Sequence, residues 1–184
     1  MRAKNNTVAV LLVSLLVSIT ASAFKQATGW QLFESKKIGL KISFPGEPVE
    51  NKQTVNSAVG PLDMDMFQLD VSTDTASSNL MYMVNYTKYP DSLNINNQDK
   101  IDVFFNGSIN GMVTNTKGKL LSQKKGIYKD YPCREIRVDL QGQAIITAKL
   151  ILIKNKYYML MVFTSSGKEP NTDTEKFFSS FESE

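Results

Sequence analysis

Between Ala144 and Phe163 the chain carries two nearly continuous apolar stretches. The first is Ala144-Ile145-Ile146 with Leu150-Ile151-Leu152-Ile153, the second Tyr157-Tyr158-Met159-Leu160-Met161-Val162-Phe163, and Lys154-Asn155-Lys156 separates them. Runs this short, rich in β-branched and aromatic residues and joined by a three-residue polar link, read as two strands of a hairpin. A strand that is apolar at every position, not at every second one, is covered on both faces. The chain must therefore supply cover for two sides of a sheet.

The rest of the sequence offers the further strands and the cover. Strand-like segments run from Trp30 to Glu34, Leu40 to Phe44 and Leu80 to Tyr89, with Pro45-Gly46-Glu47-Pro48 stopping the second. Lys52 to Val59 is a weaker candidate. Leu62 to Leu69 alternates, which places Leu62, Met64 and Met66 on one face and Asp63 and Asp65 on the other. Lys119 to Tyr128 and Tyr131 to Leu140 complete a meander with the hairpin, through a turn at Gln141-Gly142-Gln143. Ile136, Val138 and Leu140 alternate with Glu135, Arg137 and Asp139, so that strand belongs near an edge or an exposed face.

The apolar period changes to nearly four after Asn96-Asn97, where Ile101, Phe104, Phe105, Ser108, Ile109 and Met112 form one stripe of a helix that either asparagine can cap. Gly107 and Gly111 each cost about 1 kcal/mol relative to alanine in a helix. Close packing of the backbone on a sheet would explain them, and so would a ligand approaching there. Thr172-x-x-Glu175 reads as a capping box opening a second, short helix that buries Phe177, Phe178 and Phe181. Two helices and an antiparallel sheet with buried central strands predict an α+β fold with helix cover on both sides.

The first residues carry an address. Arg2 and Lys4 precede an apolar run from Val8 to Val17 that ends in Ala21-Ser22-Ala23, the tripartite pattern of a secretory signal peptide. At about 1.5 Å per residue the run falls short of a ~30 Å bilayer core. The expected organisation is a signal peptide over 1–23, a short linker over 24–29 and one domain over 30–184, with the mature chain starting at Phe24; retention of the segment as an anchor is the alternative. Lipid attachment needs a cysteine at the cleavage site, and the one cysteine is Cys133. The formal charge of +3 includes Arg2 and Lys4, so the mature chain lies near +1. Its longest basic runs are the pairs Lys36-Lys37 and Lys124-Lys125, too little clustering for a nucleic-acid partner.

Several chemistries are excluded by residue type. The chain has no histidine, which removes Ser-His-Asp and Cys-His catalysis and histidine zinc sites. No P-loop, Gly-x-Gly-x-x-Gly or Gly-x-Ser-x-Gly occurs. Asp63 and Asp65, roughly 7 Å apart on one strand face, are the visible carboxylate pair and could serve an inverting glycosidase; equally, they are the wet face of a half-buried strand. Asp70-x-Ser72-x-Asp74 opens like a calcium loop, but Thr75 stands at the turn glycine and Met81 at the bidentate glutamate. The sequons at Asn85 and Asn106 fall in a predicted strand and a predicted helix. Cys133 cannot form an internal disulfide and is expected to be a shielded thiol; its parity with Glu135 and Arg137 requires a bulge to bury it, and Arg134, which shares parity with Ile136, points to one. The segments Glu47 to Gly60 and Ser72 to Asn79 are read as loops able to carry binding.

Gly39-Leu40-Lys41-Ile42-Ser43-Phe44-Pro45 followed by Pro48, the central amphipathic helix, the hairpin strand opening on Tyr157-Tyr158 and the closing Phe177-Phe178-Ser179-Ser180-Phe181 together resemble the PsbP-like superfamily of exported α/β/α sandwich proteins. The resemblance covers nearly all of the mature chain. It implies a non-enzymatic accessory role, as in extrinsic photosystem subunits and bacterial envelope proteins. The photosystem role involves metal-assisted docking, and this chain has no histidine to match it. No residue is carried over as catalytic, cofactor-binding or metal-binding.

The sequence thus leads to an exported, non-enzymatic accessory or binding protein of the bacterial cell envelope, periplasmic or secreted, without cofactor, whose partner is another envelope protein. A carboxylate-dependent hydrolase acting on glycans and a small-ligand or lipid carrier are the alternatives.

Overall fold

The computed structural model of the protein describes residues 29–57, 59–93 and 95–183. The segment over 1–23 expected to be a signal peptide, and all of the expected linker but Gly29, lie outside the described residues. The elements follow in the order β1 (Gln31–Ser35), β2 (Leu40–Phe44), β3 (Val49–Ser57), β4 (Gly60–Asp70), β5 (Asn79–Lys88), α1 (Gln98–Thr116), β6 (Lys119–Tyr128), β7 (Tyr131–Leu140), β8 (Ala144–Ile153), β9 (Lys156–Ser165), α2 (Thr172–Ser179) and β10 (Glu182–Ser183). Seven strands form one antiparallel sheet in the order β3-β4-β5-β9-β8-β7-β6, and β1-β2-β10 form a second.

The continuous apolar runs take the central positions β8 and β9, and both of their faces are buried. Ile146, Ala148, Leu150 and Met161 pack under α1 with Phe105 and Ile109. On the opposite face Ile151, Tyr158, Leu160 and Val162 meet Leu40, Ile42 and Phe44 of the small sheet and Phe177 of α2. The α+β class is as expected. The second cover differs from the expected helix: it is the small sheet together with α2, because α2 has only eight residues and cannot span seven strands. At about 4.8 Å per strand that sheet is nearly 30 Å wide.

Other local expectations change in instructive ways. α2 is capped by Asn171, whose Oδ1 accepts from the Thr174 amide at 2.9 Å, so Thr172 is the first helical residue and not a capping-box residue. Asn171 is held there by Asn79, which accepts from its Nδ2 at 2.9 Å. Phe181 is buried just beyond the helix, against Tyr158 and Tyr128. The segment from Glu47 to Gly60 is largely the edge strand β3, not a loop. Cys133 is buried as a free thiol without any bulge in β7, whose register with β8 runs unbroken from Cys133↔Ile151 to Leu140↔Ala144. It is buried because both faces of β7 are covered at that end. The irregularity lies instead in β6, between Leu120 and Ser122.

Candidate functional site

The connection from β5 to β6 decides where the molecule is open. β5 is third in the sheet and β6 is its far edge, so the chain must cross β9, β8 and β7 between them, and α1 is that crossing. The β3-β4-β5 half of the same face receives no helix. Asn97 caps α1 by accepting from the Lys100 amide at 2.9 Å, and Lys117, in the left-handed conformation at φ 50°, ends it.

An ion-pair network fixes the helix over its half of the sheet. Arg134 on β7, only 2% exposed, reaches Asp102 of α1 and donates to the Cys133 carbonyl at 2.8 Å, with its guanidinium 4.7 Å above the Phe105 ring. Lys125 of β6 holds the other Asp102 oxygen at 2.7 Å, and Gln98 donates at 2.9 Å. The Lys125 hydrogen bond, with help from Gln98 and the charge of Arg134, holds the Asp102 carboxyl below the usual carboxylate range. The parity of Arg134 with Ile136 and Val138 is therefore real. A buried arginine is possible because its charge is paired.

Between the open flank of α1 and the bare half of the sheet lies a groove of about 890 Å³. Val55 of β3, Val59 in the β3-β4 turn and Met64 of β4 form one side; Phe104, Gly107 and Ser108 of α1 form the other. The segment after β5 closes an end with Tyr89, Leu93 and Ile95. That segment is clamped by Asn155 in the β8-β9 turn, which donates to the Tyr89 carbonyl at 2.9 Å and to Asp91 at 2.7 Å, while the Tyr89 amide donates to the Asn155 carbonyl at 2.8 Å.

Phe104 stands edge-on to both Tyr89 and Tyr157, with ring centroids 5.0 and 4.9 Å away. At the floor Tyr157 Oη and Ser108 Oγ share a hydrogen bond of 2.5 Å. Burial raises the Tyr157 phenol, the bond from Ser108 opposing it, and burial raises that of Tyr89. Both phenols are neutral at physiological pH and can donate a hydrogen bond. Asp99 and Lys100 stand at the rim.

The glycines of α1 do not press on the sheet. Both are exposed, and a Cβ built at Gly107 or Gly111 would meet nothing within 4 Å. Gly107 instead lines the groove, which is the ligand-side alternative for this residue.

The other candidates sit elsewhere. Asp63 and Asp65 lie on the opposite face of β4 from Met64: Asp63 accepts from Thr54 Oγ1 at 3.0 Å, and Asp65 is paired with Lys37 at 3.2 Å and Lys52 at 3.6 Å. Asp70 and Asp74 each accept from a backbone amide two residues on, at 2.8 and 3.0 Å. The hydrogen bonds from Ser72 lower the Asp70 carboxyl. These are turn-forming aspartates. Asn85 is buried on β5, and Asn106 is exposed on α1. Among the described residues no cluster of three or more Cys, Asp or Glu side chains is arranged to hold a metal ion, and no helix is long and apolar enough to cross a membrane.

No protein-family model matches the sequence, and no curated protein matches it. Solved structures do. The solution structure of cyanobacterial PsbP (CyanoP) from Synechocystis sp. PCC 6803 superposes with a TM-score of 0.55 at 12% identity, covering 90% of this chain and 99% of that one. A protein of unknown function from Pseudomonas aeruginosa matches with a TM-score of 0.35 at 8% identity, over 80% of this chain and 90% of that one. The layered arrangement of sheet, crossing helix and small covering sheet is thus the PsbP-like fold.

Proposed function

We propose that the protein is an exported, non-catalytic binding module of the bacterial cell envelope, and that the groove beside α1 is its working site. The observation that carries this reading is the groove itself. Its volume lies in the range of small-molecule sites, its walls are mainly aliphatic and aromatic, and a few hydroxyl groups converge at its floor. The occupant is a small, largely apolar molecule with one hydroxyl or carbonyl group, which the Ser108–Tyr157 pair would orient. A ligand presented in this way to an envelope partner unites the accessory and carrier roles.

The likeness to PsbP supports an accessory or binding role and leaves the location to the N-terminal segment. Intact-mass measurement on protein recovered from the periplasm tests export: the expected chain starts at Phe24, and a mass retaining residues 1–23 would refute cleavage. Titration with the neutral fluorophore N-phenylnaphthylamine tests the groove. Saturable binding to one site, lost in Gly107→Leu because the new side chain enters the groove, is expected. Binding that Gly107→Leu leaves unchanged would refute the site, as would no saturable binding.

A further inference from the structure

Beyond Met1 and Met112, every methionine of the chain belongs to a Met-x-Met pair: Met64 and Met66 on β4, Met81 and Met83 on β5, Met159 and Met161 on β9. These strands are adjacent, and the alternation of each puts its pair on the α1 side of the sheet. The other face of the same strands is filled by Phe67, Leu69, Tyr82, Val84, Leu160 and Val162, without a methionine. An apolar core alone gives no reason for that division.

The register brings four of the thioethers around one polar atom. Met83 stands directly opposite Met161, and Asn85 is flanked by Met66 across β4 and Met159 across β9. Directly opposed Cβ atoms lie about 4.5–5.5 Å apart, and the flexible methionine side chain can carry its sulfur over a neighbouring strand. Asn85 is 7% exposed, and its Oδ1 is buried with no hydrogen-bond partner. Buried acceptors are seldom left without one. The Met159 sulfur lies 3.9 Å from Ser108 Oγ, next to the groove, which gives solvent a route to the patch.

We propose that Met66, Met83, Met159 and Met161 form a site for a soft monovalent cation of the Cu(I) class, with the Asn85 oxygen as the polar acceptor beside it. Thioethers favour Cu(I) over hard divalent ions, and these four positions present no carboxylate or imidazole that would favour another metal. The proposal is independent of the organic ligand of the groove, although Met159 touches both.

Silver(I), a redox-inert ion of the same class, is the probe. It is added alone to the full mature chain labelled with carbon-13 at the methionine methyls, and followed by methyl NMR and native mass spectrometry. One ion per chain is expected, with methyl shifts at Met66, Met83, Met159 and Met161 that exceed the shift at Met112. The double variant Met83→Leu/Met161→Leu, which keeps the apolar volume, should weaken binding at least tenfold, whereas Met112→Leu should leave it unchanged. The absence of an adduct would overturn the proposal, as would shifts confined to other methionines or an adduct that follows Cys133 on the opposite face. If the double variant fails to fold, the methyl shifts of the unsubstituted protein decide. An unsubstituted chain that binds the fluorophore but forms no silver adduct would refute this site alone and leave the groove standing.

Discussion

Phe105→Ala tests the placement of α1, on which the groove depends. The ring has no exposed surface and fills the space between α1 and the sheet face formed by Ile136, Ile146 and Ala148. Removing a phenylalanine side chain from such a site costs about 3–5 kcal/mol, the sum of lost transfer energy and the residual cavity. Three contacts push this case to the upper end: the edge-on neighbours Phe104 and Tyr157, with centroids 5.8 and 6.2 Å away, and the Arg134 guanidinium 4.7 Å above the ring. A desolvated cation over an aromatic face contributes about 2 kcal/mol. Phe105→Leu separates the parts, because it restores most of the volume without the π face; it should recover more than half of the loss. The assay is urea unfolding of the chain over residues 24–184 followed by circular dichroism, with the midpoint falling at constant slope. In a chain of this size the alanine variant should melt roughly 6–20 °C lower. A loss below about 1 kcal/mol would refute the packing of α1 on this face, and equal losses for leucine and alanine would refute the role of the ring.

Three further outcomes follow from the same geometry. Gly107→Ala should raise stability by up to about 1 kcal/mol, since the new methyl meets no neighbour and alanine favours the helix; thermal melting checks this, and destabilisation would mean that the helix is closer to the sheet. Burial pushes the phenols of Tyr82 and Tyr158 from their ordinary 10 up to about 12. The unfolded chain therefore gives up these protons first, so their contribution is complete below pH 10 and is lost as pH rises towards 12. Tyrosinate absorbance should appear together with unfolding in that window, and ionisation of all the tyrosines near pH 10 without unfolding would refute it. Cys133, whose thiol is raised above its ordinary value by burial, should react with maleimide only in denaturant; rapid labelling of the native chain would show that its cover opens.

What the sequence made legible was whatever depends on neighbours in the chain. The two nearly continuous apolar runs between Ala144 and Phe163 required two covers, and both are present; Asn97, Pro45 and the alternation after Leu62 act as expected because caps, stops and strand faces are set within a few residues. Errors arose where a distant residue decides. Thr172 and Glu175 spell a capping box, yet Asn79, some ninety positions earlier, holds Asn171 at the cap. Arg134 on an apolar parity suggested a bulge because its partner Asp102 sits on another element.

The groove belongs to this second kind. Its walls come from β3, β4, the segment after β5, α1 and β9, and each piece alone is an ordinary apolar stretch. The arrangement is a consequence of topology: one helix must cross from the third strand of a seven-stranded sheet to its far edge, so it covers one half of a face and leaves the other half bare. The apolar residues it leaves without helix cover, Val55 on the edge strand β3, Val59 in the turn after it and Met64 on β4, border the groove, and their contact with water has a cost that a ligand would remove. Gly107 was the local sign of this. A residue that weakens its helix yet touches nothing across the sheet is accounted for by what must pass beside it.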